Sequence, residues 1–99
     1  MIKKQYLKTR NIYKVTFEFP ADLQADEVHL IADFTDWRPV PFQKLKTGRW
    51  KLVQELDPDH NYQFRYRITH NDHTLYVNDP EADATAPTYH GAENAVLSC

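Results

Sequence analysis

Cysteine is almost absent from this sequence, because Cys99 is the only one among 99 residues. A single thiol excludes an intrachain disulfide, which is typical of proteins in a reducing compartment. The first residues, 1–6, include lysines but no apolar run follows them, so the pattern of a secretory signal is missing. No stretch approaches the ~20 apolar residues of a membrane-spanning helix. We therefore expect a cytoplasmic protein with no membrane partner.

Glycine is also scarce, and neither sign of charge is in clear excess. The two glycines, Gly48 and Gly91, lie far apart, so they cannot form the glycine-rich loop that cradles a nucleotide phosphate. Lys plus Arg number 12 and Asp plus Glu number 14, and this balance argues against a nucleic-acid partner. Five basic residues near the start are interpreted as the protection of an exposed edge strand: Lys3, Lys4, Lys8, Arg10 and Lys14.

The chain also lacks apolar residues spaced three or four apart, as an amphipathic helix needs. Instead, apolar and polar residues alternate with a period of two. Its length fits one domain, residues 1–99. Short runs rich in aromatic and β-branched residues, each ended by a turn signal, predict an all-β fold, an antiparallel sandwich of about seven or eight strands. Strands are expected near 3–9, 13–19, 28–34, 40–45, 49–56, 62–68, 74–78 and 94–98, and the only candidate for a helix is a single turn near 80–83.

One hairpin can be predicted residue by residue. If the loop is 70–73, Thr69 faces Thr74 and Arg67 faces Tyr76, while Arg65 lies opposite Asn78. The apolar residues of both strands then share one face, and the other face carries a tyrosine flanked by two arginines. Register and apolar pattern agree, as a correct hairpin assignment requires.

Six short motifs, in order, resemble a known family. The segment 28–37, VHLIADFTDW, is similar to the "GDFNxW" motif of the family 48 carbohydrate-binding modules, with Ala32 and Thr35 in place of its glycine and asparagine. The family's later motifs, "PM", "GxW", "YxYKF", "xDP" and "GxxNxV", are matched in turn by segments 41–42, 48–50, 62–66, 78–80 and 91–96. These immunoglobulin-like, early-set domains occur in isoamylases, in glycogen-branching enzymes and in the beta subunit of AMP-activated protein kinase.

The resemblance, which covers roughly residues 13 to 98, implies both a fold and a set of sugar-binding residues. The fold would be an immunoglobulin-like β-sandwich. Trp37 and Tyr76 would stack on glucose rings, and Arg65 and Asn94 would bond sugar hydroxyls. The implied ligand is an α-glucan such as glycogen, starch or maltodextrin, and an amylase-type enzyme is an implied partner.

The same residues have structural interpretations that stay open at this point. Trp37 follows a polar turn and is expected to be exposed, although a core position is the alternative, whereas Trp50 falls in register with Leu52 and is expected in the core. Tyr76 and Arg65 could be ordinary residues of a solvated strand face. Asn94 could simply start a strand.

Catalysis and metal binding are not expected. Asp33 and Asp36 resemble a glycosidase pair only by proximity in the sequence, since nothing indicates a pocket that would raise the pKa of either. His70 and His73 fit a polar hairpin loop better than a metal site, and no cofactor motif is present. Our first hypothesis is a non-catalytic α-glucan-binding module, and the second is a module that docks an enzyme without binding sugar. A hydrolase or branching enzyme is disfavoured, because its usual barrel needs about 250 residues.

Overall fold

The alternating pattern folds into two packed antiparallel sheets. The computed structural model describes residues 1–88 and 93–99, and the statements below concern those residues. They form ten strands: β1 (Ile2–Leu7), β2 (Ile12–Phe19), β3 (Glu27–Ala32), β4 (Val40–Pro41), β5 (Gln43–Lys44), β6 (Trp50–Leu56), β7 (Asn61–His70), β8 (His73–Val77), β9 (Ala84–Pro87) and β10 (Glu93–Ser98). One sheet has the order β1-β2-β6-β5, and the other has the order β4-β3-β7-β10-β9, with β8 also paired to β7. This arrangement confirms the predicted all-β, immunoglobulin-like sandwich.

The core lies between the sheets and is built from every second residue of the long strands. Nine residues in it are at most 1% exposed: Val15, Phe17, Val28, Leu30, Ala32, Phe64, Tyr66, Ala95 and Leu97. Aromatic rings meet edge to face, as Phe17 and Phe64 do with centroids 5.6 Å apart. Trp50 is 6% exposed, which confirms its predicted core position. Each fully buried apolar side chain contributes about 1.5–3 kcal/mol, so these residues supply most of the driving force for folding.

The number of strands exceeds the predicted seven or eight for two reasons. The single strand expected over 40–45 is two short strands on different sheets, because β4 pairs with β3 and β5 pairs with β6. Between them the side chain of Phe42 turns into the core, where it is 6% exposed, and the chain crosses from one sheet to the other. The second reason is β9, an edge strand of sequence ATAP that has no apolar alternation to reveal it.

The candidate single turn near 80–83 is a hydrogen-bonded turn and not a helix. Asp79 accepts a bond from the amide of Ala82 through its carbonyl oxygen, at 3.1 Å, and a bond from the amide of Glu81 through its carboxylate, at 2.8 Å. An aspartate that bonds the backbone two residues onward favours a turn over a helix. A 3₁₀ turn is present elsewhere, at Asp33–Thr35. No helix among the described residues could cross a bilayer.

The turn after β8 is anchored to the core by a buried polar pair. The hydroxyl of Tyr66 donates to Asp79 Oδ2 at 2.7 Å, and these residues are 1% and 7% exposed. Burial and the neighbouring carboxylate raise the pKa of Tyr66, so the phenol stays protonated and remains a donor. The pair therefore fixes where the chain leaves β8.

Two ion pairs join strands at the periphery of the sandwich. Arg49 lies 2.8 Å from Glu18, and its hydrogen bond lowers the pKa of that carboxyl. Lys4 of the edge strand β1 lies 2.6 Å from Asp83 and so connects the two sheets. Partial burial pushes the pKa of Asp83 upward, but bonds from Lys4 and from the Ser98 amide outweigh it and lower the pKa. The position of Lys3 and Lys4 on β1 confirms that the basic start of the chain forms an edge strand.

Strand β7 is longer than predicted and has two partners along the same side. Its first half pairs with β10, up to the pair Phe64–Ala95, and its second half pairs with β8, starting at the pair Tyr66–Val77. Arg65 is the residue at the junction. The predicted hairpin register is confirmed, with Thr69 opposite Thr74 and Arg67 opposite Tyr76. The end of β8 and the start of β10 are therefore brought next to each other beside Arg65.

Candidate functional site

The outer face of the six-stranded sheet carries the residues that alternate with the core. On β3 and β7, Ile31 lies in register with Arg65, and on β7 and β8, Arg67 lies in register with Tyr76. Because successive strand residues point to opposite faces, the burial of Leu30, Phe64 and Tyr66 places their neighbours on the outside.

The turn that follows β3 places an indole on this face. Trp37 is 45% exposed, as predicted, and its backbone is left-handed, with φ 60°. The preceding residue, Asp36, is left-handed as well, with φ 55°. The turn is held by a bond of 2.8 Å from the Trp37 amide to the carbonyl of Ala32 and by the Thr35 hydroxyl, 2.9 Å from that same carbonyl. Ala32 itself is extended, with φ −148°, so this position does not need the glycine of the family motif.

A left-handed backbone at a bulky residue is uncommon and costs of order 1–3 kcal/mol. Such strain is concentrated at functional sites, where the surrounding structure holds it in place. Here the two left-handed residues, Asp36 and Trp37, are both exposed, and together they present the indole to solvent. This observation favours a role for the exposed indole of Trp37 beyond packing.

The guanidinium of Arg65 is held by Asn94, and Asn94 is held in turn by Gln63. The Arg65 Nε donates to Asn94 Oδ1 at 2.9 Å, and the Asn94 amide donates to Gln63 Oε1 at 3.1 Å. Asn94 is only 6% exposed, so its carbonyl and amide are engaged with protein rather than with solvent. The structure therefore gives Asn94 an observed role as a support for Arg65.

All four residues predicted from the sequence line one shallow depression. Its volume is about 290 Å³, and its walls are the side chains of Ile31, Trp37, Arg65, Tyr76 and Asn94. We call this depression the platform. Tyr76 is 53% exposed and Trp37 is 45% exposed, so the platform presents two aromatic rings together with a charged, positioned donor.

This combination suits a ligand that is flat, neutral and rich in hydroxyls. An exposed aromatic ring offers an apolar face and a polar edge, which matches the C–H face of a sugar ring. A guanidinium supplies several N–H donors in a fixed fork, which matches neighbouring hydroxyls. The platform thus has the chemistry to hold a carbohydrate without reacting with it.

Of the residues considered for catalysis or metal binding, Asp33 has a structural contact and the two histidines lie at a hairpin end. Asp33 Oδ2 accepts a bond of 2.9 Å from the Gln63 amide, so this carboxylate joins β7 to the turn after β3. His70 and His73 face each other at the end of the β7–β8 hairpin. Among the described residues no group of three or more metal-ligating side chains occurs. Burial raises the pKa of Cys99, which disfavours the reactive thiolate.

Several residues of this face were not predicted from the sequence. Ile31 completes the platform, and only its outward position in the alternation of β3 could have indicated it. Gln63 supports Asn94, although nothing in a single sequence couples residues 31 positions apart. Gly91, which opens the predicted "GxxNxV" motif, lies outside the described residues.

The fold and the platform together define an immunoglobulin-like β-sandwich with an exposed aromatic surface, and comparison with known proteins gives the family. Residues 7–82 match the model of carbohydrate-binding module 48, the isoamylase N-terminal domain. This match covers most of the chain, so the protein belongs to that family of binding modules. The matched range includes Trp37, Arg65 and Tyr76 and ends before Asn94. No curated protein matches the chain.

Solved structures share the fold. Pullulanase from Bacillus acidopullulyticus is 22% identical with a TM-score of 0.64, over 99% of this chain and 12% of that one. The catalytic module of SpuA, a pneumococcal glycogen-degrading virulence factor, in complex with an inhibitor, is 21% identical with a TM-score of 0.62, over 100% of this chain and 16% of that one. A product complex of SpuA is also 21% identical with a TM-score of 0.62, over 100% of this chain and 12% of that one. The chain therefore spans a small part of the length of these proteins, and the similarity concerns the sandwich alone.

Proposed function

We propose that this module binds α-glucans such as glycogen, starch or maltodextrin on the platform, without cleaving them. One observation carries the proposal: Trp37, Arg65, Tyr76 and Asn94 are distant in sequence but line the same depression. Each of the four corresponds, through its sequence motif alone, to a position that contacts sugar in binding members of the family.

The chemistry of the platform supports a neutral sugar chain over a charged ligand. Its one formal charge, on Arg65, is partly engaged by Asn94, and no lysine occurs among the described residues that line the depression. Stacking that buries roughly 60 Å² of a pyranose face on the indole would contribute about 1.5 kcal/mol at ~25 cal/mol per Å². A few such contacts correspond to a dissociation constant between roughly micromolar and millimolar.

The platform also supports binding rather than catalysis. Of the two carboxylates considered as a catalytic pair, Asp33 is used in holding the Gln63 amide. Asp36, next to Trp37 in sequence, is not among the residues that line the platform. A glycosidase needs two carboxyl groups about 5 to 9 Å apart on either side of the scissile bond. No carboxylate lines the platform in the part of the chain that the structure describes.

Titration of maltoheptaose into isotope-labelled protein tests the proposal. Below about 10 mM sugar we expect chemical-shift changes at the backbone amides of Trp37 and Tyr76 and at the indole of Trp37. Trp37→Ala should weaken binding about tenfold, which corresponds to ~1.4 kcal/mol. Tyr6→Ala is the matched control, because Tyr6 is similarly exposed at 46% but lies on β1 of the other sheet. Absence of shifts at millimolar sugar, or equal losses in both variants, would refute glucan binding.

A second candidate function is docking of an amylase-type catalytic domain. Leu75 of β8 is 61% exposed although it lies in register with Ile68, which packs on the core. The apolar face of the hairpin thus continues beyond the sandwich, and an exposed leucine there suits contact with another domain. Loss of an amylase-type partner in Leu75→Asp, with glucan binding unchanged, would support this function. The reverse pattern would exclude it.

A further inference from the structure

The outer face of the six-stranded sheet carries a second group of polar residues beside the platform. His29 of β3 lies in register with Arg67 of β7, and Arg67 lies in register with Tyr76 of β8. His29 follows the buried Val28, so it points to the outer face. Arg67 follows the buried Tyr66 and points the same way. We call the row of His29, Arg67 and Tyr76 the strip.

The strip crosses three adjacent strands and meets the platform at Tyr76. Adjacent strands lie about 4.8 Å apart, so the strip extends about 10 Å across the sheet from Tyr76 to His29. Residues that face each other in an antiparallel pair have their Cβ atoms about 4.5–5.5 Å apart. Because Tyr76 is also a wall of the platform, a ligand that stacks on its ring can extend directly onto Arg67.

The guanidinium of Arg67 is the unused polar group of the strip. Three of the described arginines are half-buried. Arg49 is paired with Glu18, and Arg65 is held by Asn94. Arg67, in contrast, has no hydrogen bond or ion pair with any described residue. Because partial burial removes some of the water around its N–H donors, the oxygen atoms of a ligand would supply bonds that the protein does not.

The imidazole of His29 is also without a partner among the described residues. It is half-buried, and its Nδ1 is buried with no hydrogen bond. Nε2 is therefore the ring nitrogen that a ligand can reach, and it is a donor or an acceptor according to the tautomer. The strip thus presents an exposed phenol ring followed by two side chains whose hydrogen bonds are unmet.

These groups match the hydroxyls of a neutral sugar chain better than they match a charged ligand. A hydroxyl oxygen accepts from a guanidinium N–H, and a hydroxyl can donate to or accept from an imidazole nitrogen. Glu27 is exposed on the same face of β3, two residues before His29, so it would repel an anion attracted to Arg67. A cation would be repelled by Arg67 itself.

The geometry points to the strip as a second α-glucan subsite, in which Arg67 and His29 bond the hydroxyls of sugar units that extend past Tyr76. This inference rests on the proposed function. A short oligosaccharide should occupy the platform, because the two exposed rings of Trp37 and Tyr76 both line it. Only a longer chain then reaches Arg67, so affinity should increase with chain length.

The test measures the affinities for maltotriose and maltoheptaose by calorimetry in three proteins. In the wild type, maltoheptaose should bind at least about fivefold more tightly than maltotriose. Arg67→Ala should reduce that ratio to less than about twofold while leaving the affinity for maltotriose within about twofold of wild type. Lys14→Ala is the matched control, because it removes an exposed positive charge from β2 of the other sheet, and it should behave as wild type.

Chemical shifts of the wild-type protein make the test independent of how the variants fold. With maltoheptaose, the side-chain Nε–H of Arg67 and the ring of His29 should shift together with Trp37 and Tyr76, whereas maltotriose should shift only the latter two. Shifts confined to Trp37 and Tyr76 with both sugars, or an unchanged affinity ratio in Arg67→Ala, would overturn the subsite and leave the proposed function standing. Absence of binding to either sugar would overturn both.

Discussion

The phenol of Tyr66 offers a sharp test of how the core supports the ligand face, because Tyr66→Phe removes one hydroxyl and nothing else. That hydroxyl donates to Asp79 at 2.7 Å in a site where both residues are nearly inaccessible. A hydrogen bond to a charged group is worth about 1.5–3 kcal/mol. Asp79 keeps the amide bond from Glu81. We therefore expect a loss of about 2 kcal/mol, or roughly 8–16 °C in melting temperature for a domain of this size.

Urea unfolding at pH 7 measures the loss directly, since the midpoint shifts while the slope stays constant in a two-state transition. Tyr62→Phe is the matched control, because the Tyr62 hydroxyl donates only to the carbonyl of Asp57, at 3.1 Å near the surface. It should cost less than about 1 kcal/mol, the value for an ordinary neutral hydrogen bond. Equal losses in the two variants would refute the view that Tyr66 and Asp79 anchor the turn after β8.

Two further predictions concern acidic residues outside the platform. The pKa values of Glu18 and Asp83 are lowered in the folded protein, so the stability that these carboxylates contribute is present at neutral pH and is lost as pH falls below about 4. In the double variant Glu18→Gln plus Asp83→Asn, the free energy of unfolding should therefore depend less on pH in the acid range. An unchanged acid midpoint would contradict this. Asp72 has φ 65° in the two-residue turn between β7 and β8, a conformation that favours glycine, so Asp72→Gly should raise the free energy of unfolding by about 0.5–1 kcal/mol. Asp22→Gly is the control, because Asp22 lies in a turn without positive φ, and it should lower the stability. The melting temperatures of the two variants decide the matter.

The fold was largely predictable because the alternation along the strands leaves one arrangement that buries the apolar residues. Hairpin β7–β8 is the clearest case, since a slip of one residue would turn Arg65 and Arg67 into the core. The strand pair at Val40–Lys44 was not predictable, because its residues switch sheets around Phe42 and no local period marks such a crossing. The short strand β9 was missed because its sequence lacks large apolar residues.

The candidate site was predictable only where a residue's local pattern places it on the surface. Tyr76 follows from the hairpin register, and Trp37 from its position after a polar turn. The support of Arg65 by Asn94 and Gln63 was not predictable, because it joins side chains about 30 positions apart through the pairing of β7 with β10.

By itself the sequence determined the two-layer β architecture, the hairpin register and the outward position of the aromatic residues, since each follows from side chains that alternate every second residue. Tertiary structure alone decided which outward residues became neighbours. The contacts between β7, β8 and β10 arise because β8 and β10, which are distant in sequence, pair with the same side of β7. A local sequence pattern carries no information about that pairing. The platform follows from the first kind of information as much as from the second, whereas the support of Arg65 by Asn94 and Gln63 follows from the second alone.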